Sequence, residues 1–315
     1  MPSASQNSRS KPRALRPGDK VGIVAPASNV KREMLEAGCD GLRRAGYEPF
    51  YFESILERDL YFAGSVERRA RELEDMFLRD DIRAIVCARG GYGSNYLPLA
   101  LDPAKIIPHP KILVGYSDIT TLLCCTADSA NFVTFHGPMV AKDFAVADGV
   151  DLDSWQNALG GAEQWEIAEG SGAKPLVPGQ SEGILYGGCL SMLVASLGTE
   201  HEIRTAGTIL FIEDVAAKPY QIDRMLWQLI HVGKLDGVRG IIFGEMLDCA
   251  SPGAPPELLE EAIQRVFEDF DGPIGFGLRS GHVSHHNVTL TFGVQAELIT
   301  TDTPELRILE PAVTL

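Results

Sequence analysis

Lys111-Ile-Leu-Val-Gly-Tyr-Ser-Asp-Ile-Thr120 is a short apolar run that meets a serine and passes into a helical pattern over Ile119 to Ala127. A continuous apolar run of this length, bounded by polar residues, reads as a strand buried on both faces. The same alternation extends outward. Val21 to Ala25 (stopped by Pro26), Ile82 to Ala88 and Phe132 to Phe135 read as further buried strands, and Tyr47 to Phe52 as an extended segment. Between them, Met34, Leu35, Ala37, Leu42 and Ala45 recur at helical spacing over 31–45, and Val66 to Leu78 carries a Leu73/Met76/Phe77 stripe. Strands alternating with helices predict an α/β domain over 18–142, built on a parallel Rossmann- or flavodoxin-like sheet covered on both faces.

Across 143–180 the pattern dissolves into Gly, Ala, Asp and Glu, which predicts a linker flanked by Trp155 and Trp165. Strand patterns return at Gly183 to Tyr186, Thr208 to Ile212, Val238 to Phe243, Val288 to Phe292 and Leu306 to Ile308, with helical stretches at 190–197, 221–232 and 256–270. These predict a smaller, β-rich mixed domain over 181–315. The polar, basic stretch 1–17 predicts a disordered lead-in.

A length of 315 residues suffices for two domains. The formal charge of −15 disfavours a nucleic-acid partner. It leaves room for a small anionic or zwitterionic substrate in a pocket of different sign. The six cysteines, at 39, 87, 124, 125, 189 and 249, form no CxxC pair and read as buried hydrophobes in a reducing compartment. No run approaches the roughly 20 apolar residues of a membrane span, and the N-terminus lacks the apolar segment of a secretory signal. The expectation is a soluble, cytoplasmic protein with no membrane partner.

Ligands of open parallel sheets bind beyond the carboxyl ends of the strands. Ser117 lies at such an end, and the helix behind it offers free N–H groups to a developing oxyanion. The layout is that of a nucleophile elbow, although Ile119 stands where G-x-S-x-G requires glycine. A plain helix N-cap fits the same residues. Arg89-Gly-Gly-Tyr-Gly-Ser94 follows a second strand, without the GK[ST] or G-x-G-x-x-G of a phosphate loop. An amide near Gly91 can complete an oxyanion hole there, or the glycines can simply make a tight turn. Arg89 suits a bidentate grip on a substrate carboxylate, or a surface ion pair.

Further along, Glu213 and Asp214 follow an apolar strand, and Gly281-His-Val-Ser-His-His-Asn287 precedes a β segment. Serine hydrolysis needs a base for the hydroxyl proton and an acid to orient that base. Ser117, His282 and Glu213 supply one of each, although a turn carboxylate and a structural histidine explain the latter two separately. A rival set places His282 and His286 on one strand face with a carboxylate, to hold zinc. The H-x-x-H-H spacing matches no H-E-x-x-H motif. His109, His136, His201 and His231 read as structural or surface residues.

Gly18-Asp-Lys-Val-Gly-Ile-Val-Ala-Pro-Ala-Ser28, Arg89-Gly-Gly-Tyr-Gly93, Gly115-Tyr-Ser-Asp-Ile-Thr120 and His136-Gly-Pro138 appear in that order. Gly187-Gly188, Phe211-Ile-Glu-Asp-Val215, Pro219-Tyr-Gln-Ile-Asp-Arg224, and Gly281-His282 leading into Leu290-Thr-Phe-Gly293 continue the series. In this ordered set the chain resembles the LD-carboxypeptidases, serine peptidase family S66, over about 18–293. The family includes muramoyltetrapeptide carboxypeptidase and the microcin C immunity peptidase. The resemblance implies Ser117 as nucleophile, His282 as general base and acid, Glu213 as its orienting carboxylate, and oxyanion amides at Asp118 and near Gly91. It also implies a site between two domains, no cofactor or metal, a homodimer, and a small peptide partner. That partner is a murein tetrapeptide losing a terminal D-alanine from an L,D bond. An immunity-type amidase cutting a peptide–nucleotide conjugate, and a non-catalytic peptide-binding protein using the same cleft, are the alternatives. Val-Ala-Ala-Lys-Pro after Asp214 departs from the acidic residue many relatives carry near 217, and His285 and His286 leave open which imidazole serves.

Overall fold

The apolar runs read from the sequence become the strands of two sheets in the computed structural model, which describes residues 9–167, 173–250, 253, 255, 257–302 and 304–315. The first half contains β1 (Lys20–Val24), α1 (Arg32–Arg44), β2 (Glu48–Phe50), α2 (Val66–Leu78), β3 (Ile82–Cys87), α3 (Pro103–Ile106), β4 (Ile112–Gly115), α4 (Thr120–Ser129) and β5 (Thr134–His136). Then come α5 (Leu152–Gly160), β6 (Trp165–Ile167), β7 (Lys174–Val177), β8 (Gln180–Cys189), α6 (Leu190–Ala195), β9 (Thr208–Glu213) and α7 (Pro219–His231). The chain ends with β10 (Gly240–Gly244), α8 (Leu258–Val266), β11 (Ile274–Leu278), β12 (Leu290–Phe292), β13 (Gln295–Ile299) and β14 (Glu305–Ile308). Local chemistry sets several boundaries. Ser65, for example, accepts the Arg68 N–H at 3.2 Å and starts α2, whose Leu73/Met76/Phe77 stripe is buried.

The first sheet has the order β12-β5-β4-β3-β1-β2 and is parallel except where β12 meets β5. The second, β6-β14-β13-β8-β9-β10-β11-β7, is mixed, with a parallel centre from β8 to β11. The protein is therefore α/β, with a mostly parallel sheet and a mixed, β-rich one. The second sheet is the larger, with eight strands to six.

Three features differ from the sequence pattern. Residues 9–17 are ordered, whereas 1–8 of the expected lead-in lie outside the described residues. Ser10 donates to the Asn131 carbonyl at 2.7 Å, Leu15 to that of Leu159 at 2.8 Å, and Arg9 pairs with Asp128 at 3.0 Å. The basic residues that suggest disorder are thus partly consumed in ion pairs. Second, the expected linker carries α5 and the two edge strands β6 and β7. Phe144, Trp155, Ala158 and Leu159 of this segment are buried. Trp155 is fully buried, edge-on to Phe144 at 5.0 Å, and donates its indole N–H to Tyr47 at 3.3 Å. Third, β12 crosses back to the first sheet, pairing Leu290 with His136. Among the described residues the cysteines are free, and all but Cys125 are buried. No helix among them is long and apolar enough to cross a membrane.

Replacing Trp155 with alanine is expected to cost about 3–5 kcal/mol, as for a large aromatic lost from a core. The measurement is the shift in denaturant midpoint, which a side chain on a free linker would leave unchanged.

Candidate active site

Ser117 occupies the turn between β4 and α4 with φ of 63°, in the left-handed region that non-glycine residues avoid. Such strain costs about 1–3 kcal/mol and persists only where surrounding structure enforces it. Its hydroxyl is not used as a helix cap: Ile119 is the N-cap of α4, with no side-chain cap bond. Ile119 also lies over Gly115, its Cγ2 2.7 Å from where a side chain there would begin. With isoleucine at 119, position 115 has no room for a side chain.

Asp118 ties this turn to the glycine turn after β3. Its buried carboxylate accepts the Ser94 N–H at 2.8 Å, and Ser94 Oγ donates to the Asp118 carbonyl at 2.5 Å. Burial pushes the Asp118 carboxyl above its ordinary value, against these hydrogen bonds. The tie seats Gly90 against the serine. A side chain at 90 would begin 2.9 Å from Ser117 Cβ and 3.4 Å from the Asp118 nitrogen. The expected amide near Gly91 is thus part of a backbone surface that Gly90 brings nearest, and both glycines line the cleft with Ser117 and His282.

Glu213, at the end of β9, is fully buried. Its Oε2 accepts His282 Nδ1–H at 2.7 Å and the His282 backbone N–H at 3.1 Å. That approach requires glycine at 281, where φ is 93° and a Cβ would lie 2.7 Å from Glu213 Cδ. Burial alone raises the Glu213 carboxyl, but the imidazoles of His282 and His136 more than offset it and hold the group well below the ordinary carboxylate range. Asp214 points elsewhere, accepting the Ser191 N–H at 2.8 Å and its hydroxyl at 2.6 Å at the start of α6.

The neighbouring histidines separate. His282 stands edge-on to Tyr116, with ring centroids 5.1 Å apart. His285 and His286 are exposed, His285 bonding Ser284 Oγ at 2.9 Å and Arg279 at 3.1 Å. The rival zinc set is not brought together: among the described residues no group of three or more His, Cys, Asp or Glu is placed to hold a metal.

The cleft, of about 600 Å³, is also lined by Lys31, Arg89 and Lys142, with no carboxylate in its wall. Arg89 is exposed and donates to the Asn29 carbonyl at 3.3 Å; among the described residues it makes no ion pair. Lys142 lies over the Tyr116 ring at 5.1 Å. The sequence pattern missed Tyr116 and Lys142 as lining residues, because no spacing marks a single side chain that turns into a cleft. It also took His136 as structural, yet His136 faces Glu213 (Nε2 to Oε1, 3.9 Å).

A strained serine at the end of a parallel strand thus lines one cleft with a histidine held by a buried glutamate. The LD-carboxypeptidase N-terminal domain matches residues 21–137, and the LD-carboxypeptidase C-terminal domain matches 182–298. The chain belongs to the LD-carboxypeptidase family. It is 36% identical over 298 residues to a probable murein peptide carboxypeptidase of Bacillus subtilis, covering 93% of this chain and 92% of that one. It is 30% identical over 314 residues to a microcin C7 self-immunity protein of Escherichia coli, covering 88% and 90%. The solved muramoyltetrapeptide carboxypeptidase of Oxalobacter formigenes superposes with a TM-score of 0.80 at 28% identity, covering 92% and 98%.

A carboxyl held below its ordinary 4.5 stabilises the fold above that pH, and the contribution is lost as pH falls toward the folded-state value. Denaturant midpoints should therefore show the wild type losing stability relative to Glu213→Gln between about pH 5 and 3. Parallel pH profiles for the two proteins would contradict this assignment.

Proposed function

We propose that the protein is a serine carboxypeptidase that hydrolyses an L,D-amide bond and releases terminal D-alanine from murein tetrapeptides, in recycling of cell-wall peptides. The observation that carries this reading is the 2.7 Å bond seating His282 on Glu213 in the cleft that Ser117 lines. With Nδ1–H given to Glu213, His282 keeps Nε2 free to take the Ser117 proton as the serine oxygen attacks the carbonyl. The amides of Asp118 and of the Gly90–Gly91 turn hold the oxyanion. His282 then protonates the departing D-alanine amine, and water delivered through the same base hydrolyses the acyl-enzyme. The chemistry calls on no cofactor.

The electrostatics of the cleft support a substrate with an anionic end. Three cations line it, without a carboxylate, on a chain of net charge −15. Arg89 and Lys142 are the candidates to hold the terminal carboxylate beside the scissile bond. Similarity to the self-immunity protein supports a second substrate for the same machinery, a peptide–nucleotide conjugate cut at its amide.

Mass detection of D-alanine from a murein tetrapeptide tests the proposal. Wild type is expected to release it, and Ser117→Ala to lose about 10⁶-fold in kcat, as in other serine triads. Arg89→Ala and Lys142→Ala should raise KM by about tenfold or more, the scale of a lost charged hydrogen bond, with kcat affected less. Cleavage of the conjugate with the tetrapeptide left intact would favour the amidase. A wild type no faster than Ser117→Ala on either substrate would leave only a binding protein.

A further inference from the structure

His136, at the end of β5, is fully buried behind the Glu213–His282 pair and takes no part in the chemistry above. Its ring is held by Phe211 and Phe292, with centroids 4.9 and 5.5 Å away. Nδ1 lies 2.9 Å from Ser280 Oγ, and that hydroxyl donates its single hydrogen to the Val288 carbonyl at 2.8 Å. Ser280 therefore has no hydrogen left for the ring, so Nδ1 must be the donor. The remaining nitrogen, Nε2, faces Glu213 Oε1 at 3.9 Å, and neither atom has a hydrogen-bond partner among the described residues. A neutral ring would set a lone pair against a carboxylate oxygen in a dry site, where unpaired polar atoms are costly. One additional proton satisfies both.

We propose that His136 is a positioning residue: protonated on both ring nitrogens, it sets a charged Nε2–H opposite Glu213 Oε1 at ion-pair distance and so holds the carboxylate whose other oxygen orients His282. The titratable groups facing it are Glu213 from β9, His282 from the loop after β11, and Tyr116 beyond β4, whose hydroxyl turns to Asp143 at 3.4 Å. Burial pushes the imidazole below its ordinary value, and the Glu213 carboxylate acts against that. Burial outweighs the carboxylate, so what holds the proton is the placement of Nε2 and Oε1 opposite each other with no other partner among the described residues, and removing the carboxylate releases it.

Nitrogen-15 histidine spectra of the whole protein at neutral pH test this without any substrate, the His136 signals being identified by their absence in His136→Gln. Both nitrogens are expected to be protonated in the wild type, with the Nε2 proton lost in Glu213→Gln; either nitrogen unprotonated in the wild type overturns the proposal. The kinetic arm rests on the triad reading. His136→Phe should lower kcat on the order of 10²-fold, the scale of a displaced catalytic group, with KM little changed. His136→Gln, which retains a donor toward Oε1, should recover about tenfold of that loss, as expected from the net worth of one hydrogen bond. Wild-type kcat in both variants, or no recovery in His136→Gln over His136→Phe, overturns the positioning role. Should His136→Phe fail to fold, the glutamine variant and the spectra still decide.

Discussion

A carboxylate with no exposed surface is tolerated only where donors surround it, and much of this molecule is arranged to meet that requirement at Glu213. Its partners come from distant parts of the chain. His282 supplies a ring N–H and a backbone N–H from the loop after β11, and His136 approaches from the first sheet at the end of β5. The second sheet's β9 must therefore end against the carboxyl ends of the first sheet's strands. Phe211 and Phe292 fill the space around the His136 ring, and Phe292 belongs to β12, the strand that joins the first sheet from the far end of the sequence. The site is continuous with the core, so displacing any of these elements would expose or orphan the carboxylate.

The parts of this arrangement that are local are the parts the sequence revealed. Val66 to Leu78 reads as a helix and is one, because its apolar stripe and its serine cap agree. The run into Ser117 reads as strand then helix for the same reason. β11 escaped because Ile-Gly-Phe-Gly-Leu substitutes glycine for the side chains that make a period visible. The membership of β12 escaped because hydrophobic alternation specifies a buried face and says nothing of which sheet supplies the neighbour. Glu213 and Asp214 illustrate the same limit within the site. Successive side chains of a strand point to opposite faces, and only the family resemblance distinguished the one that meets His282 from the one that meets Ser191.

Charge shows a comparable separation between the global and the local. The chain as a whole repels polyanions, yet Lys31, Arg89 and Lys142 line the cleft with Ser117 from three separate segments, none of them a basic run. Composition therefore described the surface well and the pocket poorly, as expected where a few side chains in a concave wall set the local field.

The two halves of the candidate site are each tied together by hydrogen bonds. The strained Ser117 and its candidate oxyanion amides form one, because Asp118 and Ser94 bind the two turns to each other. Glu213, His282 and His136 form the other. Their registration rests on contacts one residue removed from the chemistry. Thr120, in the first turn of α4, accepts the Cys189 N–H at 3.0 Å at the end of β8, and a side chain at Gly188 would begin 2.5 Å from Thr120 Cγ2. A hinge between the sheets would have to break these contacts and uncover Glu213 at the same time. The geometry thus favours a site assembled before substrate arrives, with the strain at Ser117 maintained by the fold and the orientation of His282 maintained by the buried Glu213 carboxylate.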